Sequence, residues 1–263
     1  MRARRAITAL TIPVVALLGL SACQSDDAAA PASSASEGAT AAATEDSGSA
    51  VLSAEDFVAR TTAAITAAGS VQMAVTTTDA TQSMQVNADL VFGGDAQKLR
   101  MTMDVEGVAT EIRIVDGIQY VSLGEMTGGK FVAVDPASGT DPFGGAFDAL
   151  IGEMDPTGGI ADLEGAIRSI APEGDPVELD GVQAQPYRLE LDTAALQAAM
   201  AADGSTAETM PAEMSVVYWI GVDDDLIRKM SIDQDGSVVE MLYSGWGSDL
   251  TVVAPTAEEI TTL

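Results

Sequence analysis

The chain has 263 residues, no histidine, one cysteine, and 40 acidic against 12 basic residues, for a formal net charge of −28. Lack of histidine removes the commonest general base, the Ser-His-Asp and Cys-His devices and most zinc and copper sites. A lone cysteine forms no internal disulfide, and so acidic a surface repels nucleic-acid phosphates and anionic headgroups.

Met1-Arg2-Ala3-Arg4-Arg5 is a basic start, followed by an uncharged, mostly aliphatic run from Ala6 to Leu20 and then Leu20-Ser21-Ala22-Cys23. This is the layout of a signal peptide over residues 1–22. The run is short for a membrane span, which needs about 20 residues, and Pro13 interrupts it. Leu-Ser-Ala-Cys resembles the bacterial lipobox, which implies that Cys23 is diacylated and becomes the first mature residue; two acyl chains suffice for stable attachment. The residues around Arg4-Arg5 fit the twin-arginine signal poorly, which favours the general secretory route. Export would leave nine basic residues against 40 acidic ones, a charge of −31. The expected location is the extracytoplasmic face of the cell membrane, held by lipid.

After Gln24, residues 25–50 are Ala, Ser, Thr, Gly, Asp and Glu with one proline. Such a stretch buries too little apolar surface to offset its ordering entropy. Residues 23–51 are therefore expected to be a lipidated cysteine and tether, with a reach of about 30 Å, and residues 52–263 a folded domain. Ser53 as N-cap, Asp56 three residues on, Leu52 and Phe57 as a staple and Gly69 as the stop predict a helix over about 54–68.

From residue 70 the period changes to two. Val71, Met73 and Val75, then Met84, Val86, Ala88 and Leu90, then Leu99, Met101, Met103 and Val105 alternate with polar residues, predicting antiparallel strands with one wet face. More strands are expected near 108–115, 118–123 and 130–135, with Asp116-Gly117 as a tight hairpin turn. Glycines then punctuate apolar pieces: Phe143, Phe147, Leu150, Ile151 and Met154, and Ile160, Leu163, Ile167 and Ile170. The spacing predicts two short helices joined by a turn at residues 155–159. Strands near 175–182 and 184–191, a helix near 193–202, strands near 213–222, 226–233 and 237–244, and a short strand from Leu250 to Val253 complete an α+β domain.

No phosphate-binding loop with a following GKS or GKT is present. Asp223-Asp224-Asp225 lacks calcium-loop spacing and reads as a hairpin turn. Forty acidic residues always offer carboxylate pairs, and a solvated surface is the plainer account of them. No metal, cofactor or catalytic residue is called for, and an enzyme is not expected. The methionines of the strands can fill a core or line an adaptable pocket. Strand alternation makes Met73, Met84, Val86, Leu90, Met101 and Met103 candidate lipid-binding residues, with Phe143, Phe147, Leu150 and Ile151 on a segment able to act as a lid.

Tyr218-Trp219-Ile220-Gly221-Val222-Asp223 with Leu226-Ile227-Arg228-Lys229-Met230 forms a strand-turn-strand. Tyr243-Ser244-Gly245-Trp246-Gly247 and Leu250-Thr251-Val252-Val253-Ala254-Pro255 follow. With the Val115-Asp116-Gly117-Ile118-Gln119-Tyr120 hairpin and the lipobox, this resembles the LppX/LprG family of actinobacterial lipoproteins across most of residues 52–260. The resemblance implies a LolA/LolB-like fold, a curved antiparallel β half-barrel with helices covering its concave face. It also implies a cavity carrying acylated lipid or lipoglycan. The expected function is lipid binding for transport or chaperoning in the envelope, with the membrane and lipid as partners. The alternative is a ligand-free envelope scaffold or sensor that binds another protein.

Overall fold

The computed structural model describes residues 52–262 apart from 80–82, 93, 95, 106, 136–155, 203–210, 212 and 235. Helix α1 runs Ala54–Ala68. The Ser53 hydroxyl accepts from the Asp56 backbone N–H at 3.1 Å and donates to the Asp56 carboxylate at 2.6 Å. Leu52 and Phe57, flanking the cap, are both buried, as a hydrophobic staple requires. Gly69 closes the helix at φ 71°, donating to the Ile65 carbonyl; this left-handed position favours glycine.

The remaining elements are β1 Ser70–Thr78, β2 Ser83–Val91, β3 Lys98–Val105, β4 Val108–Val115, β5 Ile118–Ser122, a 3-10 turn Gly124–Thr127, β6 Phe131–Val134, α2 Pro156–Ala161, β7 Ile167–Pro172, β8 Val177–Leu179, β9 Val182–Leu191, α3 Thr193–Ala202, β10 Met214–Gly221, β11 Ile227–Gln234, β12 Ser237–Ser244 and β13 Ile260–Thr261. Among the described residues the strands make one open sheet. Its order is β13-β6-β5-β4-β3-β2-β1-β12-β11-β10-β9-β7, with β8 also beside β9. Each pairing is antiparallel except β13 with β6. The result is a half-barrel, an open antiparallel sheet with few helices.

Register carries the apolar pattern from strand to strand. Tyr243, Met73, Ala88, Met101, Ile112 and Val121 are successive cross-strand partners, and all are buried. One row along, Val71, Leu90 and Leu99 do the same. A period of two on every strand therefore sums to one apolar face. Helix α1 covers it with Phe57, Thr61 and Ile65, all fully buried. The turns obey the expected chemistry: Asp116-Gly117 and Asp180-Gly181 each hold two successive positive φ values, which the right-handed twist of a two-residue hairpin demands.

The Asp223-Asp224-Asp225 turn has a structural use. The Asp225 carboxylate receives the Arg60 guanidinium of α1 through Nη2 at 2.6 Å and Nε at 3.1 Å. Asp224 pairs with the buried Arg228 guanidinium and accepts from the Leu226 N–H. The helix is thus tied to the β10–β11 hairpin.

Three expectations are corrected. Of the turn expected at residues 155–159, the described residues 156–159 form the first part of α2, since Pro156 suits a helix start. Ile167 and Ile170, expected on a helix, lie on β7. The register shifts between Ile167 and Ser169, so the extra Arg168 of a bulge puts residues three apart opposite Leu191 and Leu189 and imitates a helical period. Leu250 to Val253 pairs with no strand; the last strand is β13, at 260–261. The first of the two helices expected there, around Phe143 to Met154, lies outside the described residues.

Candidate apolar groove beside the first helix

Helix α1 has a second face. One flank away from Phe57, Thr61 and Ile65 stand Val58, Ala59, Thr62 and Ala63, which with Leu163 and Ile167 line a groove of about 740 Å³. That volume is within the range of about 300–1,000 Å³ usual for small-molecule sites. Its geometry follows from small side chains: Ala59 and Ala63, one turn apart, keep one wall low. Gly165, at φ 79°, lets the chain turn sharply from α2 into β7, so that Leu163 is buried and Ile167 packs on the core. The polar groups of the lining are Thr62, Glu55 and Glu164.

Beneath α1 the interior is closed but not wholly apolar. The Thr61 hydroxyl is buried with no hydrogen-bond partner. Tyr218 meets Phe57 edge to face at 5.4 Å. Burial pushes the Tyr218 hydroxyl well above the usual phenol range, and the Tyr243 hydroxyl likewise; both therefore stay neutral. Tyr243 donates only to the Met241 sulfur, at 3.4 Å, a weak acceptor.

The candidate residues separate into groups. Met73, Val86, Leu90 and Met101 are between 0% and 4% exposed and fill the core. Met103 is half-buried and packs against that core. Met84 is 45% exposed. Phe143, Phe147, Leu150, Ile151 and Cys23 lie outside the described residues. None of these strand positions lines the groove beside α1. The residues that do were missed, and their signal was a flank of alanine and threonine on an amphipathic helix.

The opposite, wet face of the sheet holds another depression, of about 600 Å³. Of its polar groups, Gln72 donates to Asp89 at 2.9 Å, Arg100 donates to Glu111 outside the lining at 2.9 Å, and the buried Arg228 pairs with Asp224 while its Nε has no partner. Burial pushes the Glu111 carboxyl up, and hydrogen bonds from Arg100 and Arg113 overcome it and hold it below the ordinary carboxylate value. Among the described residues no group of acidic or cysteine side chains is arranged to hold a metal ion, and no helix is long and apolar enough to cross a membrane.

Residues 53–252 match the family model described as LppX_LprAFG lipoprotein. Among solved structures, the lipoprotein LprF from Mycobacterium bovis superposes with a TM-score of 0.54 at 19% identity, covering 78% of this chain and 97% of that one. The lipoprotein LppX from Mycobacterium tuberculosis gives 0.50 at 13% identity, covering 76% and 98%. At these identities the two establish the shared fold. No curated protein matches the chain.

Proposed function

The chain belongs to the LppX_LprAFG lipoprotein family, and from that premise we propose that it is a membrane-anchored carrier that binds acylated lipid or lipoglycan in the groove beside α1. The observation that carries this reading is the groove itself: about 740 Å³ of mainly apolar space beside a closed core. Acyl chains gain about 0.8 kcal/mol per methylene buried, so a few methylenes give useful affinity. The headgroup stays outside in water. This reading assigns the carrier no catalytic residue: its chemistry is burial.

Residues 1–22 export the chain, Cys23 carries the lipid, and residues 24–51 tether the domain, whose first buried residue is Leu52. Cys23→Ala abolishes lipidation and shifts the protein from the membrane to the soluble fraction on detergent partitioning. An unchanged partition would overturn the anchor.

The test of binding is made on the full chain carrying Cys23→Ala, so that its own anchor cannot occupy the site. Mass spectrometry of organic extracts should recover an acylated compound, and the delipidated protein should take up a fluorescent acyl ester saturably. The packing of Met73, Val86, Leu90 and Met101 into a solid core favours the second reading, an envelope scaffold without a ligand. That reading stands if extracts are empty and no probe is taken up.

A further inference from the structure

The groove has a charge that its apolar lining does not require. Glu55 stands on its α1 wall and Glu164 on the wall after α2; both are exposed, and no lysine or arginine lines the groove. Among the described residues neither carboxylate is in a salt bridge. The cations nearest along the chain are committed elsewhere, Arg60 to Asp225 at 2.6 Å and Arg168 to Asp192 at 3.1 Å. The Asp192 carboxylate also caps α3, accepting from the Ala194 and Ala195 N–H groups at 3.1 Å, which keeps Arg168 held there. The flanking sequence is one-sided as well. Residues 24–59 and residues 131–167 each contain seven acidic residues and no basic one.

An amphiphile that sinks its chains between α1 and Ile167 leaves its headgroup at the rim. A phosphate there lies within a Debye length, about 10 Å at 0.1 M salt, of uncompensated carboxylates. Building on the acyl-binding reading, we infer that the groove takes lipids whose headgroup carries no negative charge and rejects anionic phospholipids. The apolar lining supplies affinity for any chain, and Glu55 and Glu164 discriminate by repulsion, as selective sites commonly do.

The experiment titrates the delipidated full chain carrying Cys23→Ala with diacylglycerol and with phosphatidylglycerol of the same acyl chains, each with the same fluorescent tail. At low salt diacylglycerol should bind about tenfold more tightly, the scale of two screened unit charges at the rim. About 0.5 M salt should narrow the gap, because the Debye length shrinks. A Glu55→Gln, Glu164→Gln double variant should narrow it too, by raising the affinity for phosphatidylglycerol. Equal binding of the two lipids by the parent chain overturns the inference and leaves the acyl site standing. A preference that survives both salt and the double variant overturns it as well, since its origin is then not these charges. Uptake of neither lipid overturns the acyl site itself and this inference with it.

Discussion

Phe57→Ala lowers the unfolding free energy by about 3–5 kcal/mol, the range for emptying a buried aromatic position. The side chain is fully buried and meets the Tyr218 ring at 5.4 Å and an interplanar angle of 61°. An edge-to-face pair of this kind adds about 0.5–1.5 kcal/mol to the area it buries. Phe57 also closes the staple with Leu52 at the start of α1, so its loss loosens the only long helix that covers the apolar face among the described residues. The cavity left behind is hemmed in by β10 and by the buried Thr61, and a rigid sheet collapses poorly onto it. Val58→Ala, one residue on and half-buried, should cost much less. Urea unfolding of the full chain carrying Cys23→Ala measures both at constant slope. A Phe57→Ala loss below about 1 kcal/mol would mean that α1 is not anchored on the sheet as described.

Much of this fold is legible in the sequence because local rules and burial agree. Ser53, Asp56 and Gly69 define α1 to the residue, and period-two alternation marks the apolar face of β1, β2 and β3. Asp-Gly pairs at 116–117 and 180–181 mark their hairpins. Where local and tertiary signals part, the reading fails. The bulge at Arg168 turns a strand into a helical spacing, and β13 is two residues whose only support is a parallel pairing with β6. The site was harder to read than the fold for a physical reason. Alternation reports which side chains face the interior, and so it selected Met73, Val86, Leu90 and Met101, which the packing closes over. A groove exists where side chains are too small to fill the space between two elements. Ala59 and Ala63 look like ordinary helix formers until α2 and β7 are placed beside them.

Thr62→Trp should abolish most acyl uptake while leaving the fold intact. Thr62 stands near the middle of the α1 flank that lines the groove and is half-buried. Its side chain contributes no hydrogen bond to the helix; its backbone carbonyl accepts from the Thr66 hydroxyl at 2.8 Å, and the substitution spares that. Tryptophan and threonine have nearly equal helix propensity, so stability should change by less than about 1 kcal/mol. The indole occupies the space of several methylenes. Displacing only two from the groove costs about 1.6 kcal/mol, which already weakens binding more than about tenfold. Ala67→Trp supplies the control, since Ala67 is exposed on α1 and does not line the groove; uptake should persist there. The pair is read by titration of the fluorescent acyl ester alongside thermal unfolding. Undiminished uptake by Thr62→Trp would move the site to the half-buried Val75, Met103 and Met241. A strongly destabilised Thr62→Trp would mean that the groove is packed interior, as the scaffold reading requires.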